Sequence, residues 1–129
     1  MVRTDELMIG NWVIVDDAPR QVQSITKKKI GFHYRPNEVR LYYACHFELR
    51  PIALTRDLLQ QAGFNSPGDS RWFIHETTGF ELFYSGGQWR MTVNCAEYQT
   101  SEPISYLHEL QNLFYQIERK HLNITFNEE

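Results

Sequence analysis

The first half of the chain is written in short apolar runs broken by turn signals. Asn11-Trp-Val-Ile-Val-Asp16 is followed by Asp17-Ala-Pro19, and Gln21 to Thr26 then alternates imperfectly, with Val22, Ser24 and Thr26 on one face and Gln23 and Ile25 on the other. A third run, Lys29 to Tyr34, stops at Arg35-Pro36-Asn37. Val39 to Tyr43 and His46 to Leu49 supply one long strand or two short ones. Short strands between tight turns predict a small, strongly bent barrel of the SH3-like kind over residues 1–52. Gly10 permits the bend at its first strand, and Trp12 is expected to fill its core.

The pattern changes after Pro51. Thr55 is a natural helix N-cap, Asp57 suits the positive end of the helix dipole, and Leu58, Leu59 and Ala62 make one apolar side before Gly63 ends the helix. Asn65 to Ser70 reads as a loop. Arg71 to Glu76, Gly79 to Tyr84 and Gln88 to Val93 form a three-stranded meander, with Thr77-Thr78-Gly79 and Ser85-Gly86-Gly87 as its turns. Its apolar face is expected to carry Trp72, Ile74, Phe80, Leu82, Tyr84, Trp89, Met91 and Val93, with Phe73 and Phe83 as exceptions on the polar face. Such a one-sided sheet needs a cover. A helix from Pro103 to Lys120 provides it, because Tyr106, Leu107, Leu110, Leu113, Phe114 and Ile117 share an arc of roughly 120°. Leu122 to Phe126 alternates and is a candidate last strand. The predicted class is α+β: the barrel lobe over 1–52, then an α-β-β-β-α lobe over 53–129.

Composition narrows the function classes. A chain of 129 residues with 42% hydrophobic residues has core material for one domain and is too apolar for a disordered one. The net charge of −3 is uneven: residues 1–50 hold eight Lys/Arg against six Asp/Glu, and the remainder holds five against ten. Lys27-Lys28-Lys29 concentrates the basic excess, where the plain expectation is a solvated, edge-protecting turn. Two cysteines make no disulfide framework. Neither a signal peptide nor a run of ~20 apolar residues is evident, so a cytoplasmic protein with no membrane partner is expected.

Catalytic patterns are missing. His108-Glu109 begins like a zinc-protease helix, but Asn112 stands where the second histidine is needed. Cys45 and His46 are adjacent, so a strand turns them to opposite faces. No nucleophile elbow, P-loop or dinucleotide fingerprint occurs, and Gly86-Gly87 joins strands instead of opening a helix. No cofactor or metal is therefore expected, and an enzyme ranks third. A pocket around His33, His75 or His108 would be its place. Two surfaces remain. One is the helix flank of His108, Gln111, Asn112 and Tyr115, a candidate protein-partner strip whose plain reading is a set of side chains bonded to neighbouring loops. The other joins Lys27, Lys28, Lys29, Arg35 and Arg40 to Phe32, His33, Tyr34, Tyr42 and Tyr43, a composition suited to single-stranded nucleic acid and equally to a barrel core.

Three motifs occur in order: Glu6-Leu-Met-Ile-Gly-Asn-Trp-Val13, Arg50-Pro-Ile-Ala-Leu-Thr-Arg-Asp-Leu-Leu59 with Ala62-Gly-Phe64, and Tyr106-Leu-His-Glu-Leu-Gln-Asn-Leu-Phe-Tyr115. The chain resembles a family of small proteins of Bacteroides-type gut bacteria, recurrent among prophage and mobile-element genes. Met8, Ala53, Arg56-Asp57 and Leu107 depart mildly from that pattern, and the Glu118 to Leu122 tail departs further. The resemblance implies a host and a genetic setting, and no activity. The expected function is a non-catalytic binding or adaptor module for a protein partner, with a nucleic-acid-binding accessory protein as the alternative.

Overall fold

The computed structural model describes residues 2–66, 71–92, 103–124 and 126. It is an α+β protein whose described residues form antiparallel sheets and two α-helices. No described helix is long and apolar enough to cross a membrane. The chain divides into two units, Met1–Ala53 with Tyr106–Leu113 and Leu54–Ser105 with Phe114–Glu129.

In the first unit, β1 (Trp12–Val15) and β2 (Ala18–Gln21) form a hairpin whose two-residue loop is Asp16-Asp17. The loop lies one residue earlier than the Asp17-Ala-Pro19 signal predicts, and Pro19 sits inside β2. Proline is tolerated there because its cross-strand partner Ile14 turns its own N–H and C=O the other way, to Arg50 O (2.8 Å) and Arg50 N (3.0 Å). Both loop aspartates adopt left-handed backbone, at φ 52° and 63°. Asp17→Gly is therefore expected to raise stability by about 0.5–1 kcal/mol, measured by urea denaturation, since glycine relieves the left-handed conformation without steric cost. The Arg50–Asp17 contact it removes is long (3.8 Å) and exposed, and offsets little.

Strand alternation buries Val13 and Val15, so Trp12 lies on the opposite, half-buried face and is not the core residue the sequence pattern proposes. After β2 the ladder continues through Val22, which exchanges bonds with Gly10 and Asn11. Gln23 N then donates to Gly31 O although Ser24 is the residue in register with Gly31. Two residues opposite one make a bulge. It resets the alternation, so Val22 and Ile25, expected on opposite faces, both reach the same core with Leu7, Ile30, Phe32, Ala44 and Leu49.

β3 (Ser24–Ile25), β4 (Lys29–Phe32) and β5 (Tyr42–Cys45) form the second sheet. Val39 is outside β5 and exposed. The expected strand at His46 is a 3-10 turn, His46–Glu48, closed by Cys45 N donating to Glu48 Oε1 at 2.8 Å. The described strands of this unit make two separate sheets and no closed barrel; an Ile14–Arg50 bridge returns the chain to β1.

In the second unit, Thr55 Oγ1 caps α1 (Arg56–Gln61) by accepting from Leu58 N, and Gly63 follows at φ 95°. β6 (Phe64–Asn65), β7 (Trp72–His75), β8 (Glu81–Ser85) and β9 (Gln88–Thr92) pair in chain order. The meander exists as expected, but β7 is one residue out of the expected phase. Phe73, paired with Leu82 and touching Trp89, faces the core; Trp72 packs on Phe83 across the other side. Trp72-Phe73-Ile74 is apolar on both parities, so alternation cannot choose between them.

The long helix, α2 (Leu107–Glu118), starts four residues later than Pro103. Ile104 and Tyr106 are occupied first as bridge partners of Trp89 and Ala53. Leu107, Leu110 and Phe114 are buried as expected, whereas Tyr106 and Ile117 are exposed; the buried stripe turns toward His108 and Gln111. Leu122 and Ile124 bury alternate positions, but no strand forms among the described tail residues. Val93, Cys95 and the 67–70 part of the predicted loop lie outside the described residues.

Candidate functional site

The helix flank is engaged inside the first unit. Gln111 Oε1 accepts from Trp12 N (2.9 Å), and its Nε2 donates to Gly10 O (3.1 Å). Asn112 Oδ1 accepts from Asn11 Nδ2 (2.9 Å), and its Nδ2 donates to Glu6 O (2.8 Å). The reason lies in β1. Trp12 and Ile14 turn their N–H groups to the same edge. Ile14 meets Arg50 there, and Trp12 meets the Gln111 amide, which stands in for a strand. The two sequence motifs at opposite ends of the chain, Gly10-Asn11-Trp12 and Gln111-Asn112, are thus halves of one clasp. Tyr115 belongs to the second unit, half-buried against His121 with ring centroids 4.6 Å apart. His108 is 2% exposed, and neither ring nitrogen meets a hydrogen-bond partner among the described residues. The Tyr106 ring lies parallel to it at 6.0 Å. Burial pushes the imidazole below its ordinary range, against the opposing pull of Glu109 and Glu6.

His33 and His75, the other candidates for a pocket, have separate occupations. His33 Nδ1 meets Arg40 O at 2.8 Å. His75 Nδ1 accepts from Thr78 N (3.3 Å), while its ring packs on Phe64 and Phe114. Among the described residues no three His, Cys, Asp or Glu side chains are grouped to hold a metal ion.

The basic aromatic set separates into two groups, because Tyr42 and Tyr43 are neighbours on β5 and point to opposite faces. On the Tyr42 side, Arg40 stands over Tyr42 (5.1 Å) and Arg20 over Tyr34 (4.7 Å). Carboxylates enter the same cluster: Glu38 accepts from Tyr34 N and Tyr42 OH, and Asp16 accepts from Tyr34 OH. Arg35 is exposed nearby in sequence, its carbonyl accepting from Glu38 N. On this side two carboxylates stand among the arginines.

The Tyr43 side is different. Tyr43 is directly opposite Gly31 and is 55% exposed. A side chain at Gly31 would collide with Ser24 Oγ and lie 3.2 Å from Tyr43 Cε1, so the glycine leaves the space that the tyrosine ring crosses. Lys29 Nζ stands 4.8 Å from the ring centroid. Behind Lys29 the lysine turn is tied at every carbonyl: Lys27 O accepts from Thr4 Oγ1 (2.7 Å), Lys28 O from His46 N (2.9 Å) and Lys29 O from Thr26 N (2.9 Å). All three lysine side chains are exposed. The backbone is fixed while the ammonium groups face water. Of the tyrosines in the basic aromatic set, Tyr43 is the one that shares a face with Gly31 and Lys29, while Tyr42 turns to the other side.

No protein-family model, curated protein or solved structure matches the chain.

Proposed function

We propose that this chain is a non-catalytic binding module for single-stranded nucleic acid. Its first unit, read as an SH3-like small barrel joined by the Ile14–Arg50 bridge, offers the outer face of β3, β4 and β5. The observation that carries this reading is the exposed Tyr43 ring, seated across Gly31 and under Lys29, beside a pinned turn with three lysines. A base has a π-face for the ring, and stacking of this kind contributes about 1–3 kcal/mol per base. The exposed Lys29–ring contact contributes only about 0.5–1 kcal/mol, so a stacking base displaces or joins it readily. The lysines meet the phosphates on either side. An accessory role in a mobile element agrees with the family resemblance.

Fluorescence anisotropy against labelled single-stranded and duplex oligonucleotides, at several salt concentrations, tests the reading. Single strands are expected to bind more tightly than duplex. Replacing Lys27, Lys28 and Lys29 together with Gln should flatten the log–log salt slope by about 2, the product of three phosphate contacts and the single-strand coefficient. The same variant should keep its stability within about 0.5 kcal/mol, as surface changes do. No binding by the unmodified protein at low salt would dismiss the proposal. The protein-adaptor reading then takes its place, favoured by the 68% exposure of Phe47 beside His46 in the same unit.

A further inference from the structure

We propose that His108 is a proton-operated release for the clasp that holds the first half of α2 to the segment Glu6–Trp12. The observation is geometric. His108 lies three and four positions before Gln111 and Asn112, and so on their side of the helix, one turn toward its start. It is buried, and neither nitrogen has a hydrogen-bond partner among the described residues. A neutral imidazole has one N–H to satisfy; an imidazolium has two, and a charge besides. Among the described residues no acceptor is placed to receive either N–H. The charged groups facing it are Glu109, on its own helix, and Glu6, on the docked segment. Each is already engaged with backbone: Glu109 Oε1 accepts from Tyr106 N (3.0 Å), and Glu6 Oε1 accepts from Arg3 N (2.8 Å). The Tyr106 ring stacks on it with centroids 6.0 Å apart.

Protonation therefore favours any state in which His108 reaches water, and the nearest such state separates the helix start from Glu6–Trp12. The direction follows from linkage. Burial lowers the imidazole below 6.5, so the clasped state binds fewer protons than the open one. The clasp is fully present above about pH 6.5 and weakens as pH falls from there through the lowered value. The Gln111 and Asn112 bonds themselves carry no titrating side chain.

Amide hydrogen exchange by mass spectrometry, corrected for intrinsic rates, tests this at pH 7.5 and at pH 5. Protection of peptides covering 2–13 and 106–113 is expected to fall several-fold at the lower pH, with 72–92 unchanged. His108→Leu, which keeps the apolar volume and removes the titrating group, should hold both peptides protected at both values. Equal protection at the two pH values in the unmodified protein would overturn the proposal, as would an unaltered pH response in His108→Leu. Should that variant not fold, the ring of His108 in the unmodified protein decides by nuclear magnetic resonance. A midpoint below 6.5 that coincides with the exchange change supports the release, and a midpoint at or above 6.5 refutes it.

Discussion

Leu110→Ala is expected to lower the unfolding free energy by about 2–5 kcal/mol, with the midpoint of guanidinium denaturation shifted accordingly. Leu110 is 0% exposed and lies between Leu107 and Phe114 on the buried stripe of α2. Its removal forfeits the transfer of a branched side chain out of water and leaves a cavity that two flanking buried residues on the same helix cannot fill. Leu110→Met, of similar volume, should cost less than about 1.5 kcal/mol. An unchanged midpoint in the alanine variant would mean that the stripe is not core.

Gln111→Ala has the second-largest expected effect, about 1–3 kcal/mol, for a different reason. The Gln111 amide accepts from Trp12 N and donates to Gly10 O. Gly10 O keeps a second donor in Gln21 Nε2 at 3.2 Å, so the carbonyl is not orphaned by the change. Trp12 N loses the acceptor that stands in for a strand at the edge of β1. The cost is therefore that of one half-buried backbone donor, and denaturation of Gln111→Ala measures it. Gln111→Glu keeps an acceptor for Trp12 N but sets a carboxylate against Gly10 O, and should be no better than the alanine. A double cycle with Asn11→Ala and Asn112→Ala should show coupling of about 0.5–3 kcal/mol, because those side chains bond each other directly at 2.9 Å.

What was legible in the sequence was local. The Thr55 cap, the glycine after α1, the turns of the meander and the core residues Leu107, Leu110 and Phe114 all follow from patterns a few residues long. Three kinds of feature were not legible. Where both parities are apolar, as in Trp72-Phe73-Ile74, the phase of β7 is chosen by its pairing with β8. Where a bulge resets the alternation, as at Gln23 and Ser24, the faces of Val22 and Ile25 cannot be read by counting. Where a polar side chain serves distant backbone, its polarity looks like exposure. Gln111 and Asn112 resemble a partner strip in sequence, yet their amides are used by Gly10, Trp12, Asn11 and Glu6, about a hundred residues earlier. The candidate site fared similarly. The lysine turn was visible from composition, while the choice of Tyr43 over Tyr42 required knowing which face Gly31 opens.

Chemical-shift mapping of the isotopically labelled protein with a short single-stranded oligonucleotide at low salt tests the functional reading most directly. The account predicts that the largest perturbations fall on Ser24, Gly31, Tyr43 and Lys27 to Lys29, with the Tyr43 ring protons shifted upfield by the stacked base. It also predicts that Tyr43→Ala weakens binding by about 1–3 kcal/mol while the fold is kept. Perturbations centred on Tyr34 and Tyr42, or spread thinly over the surface with Tyr43 unmoved, would contradict it.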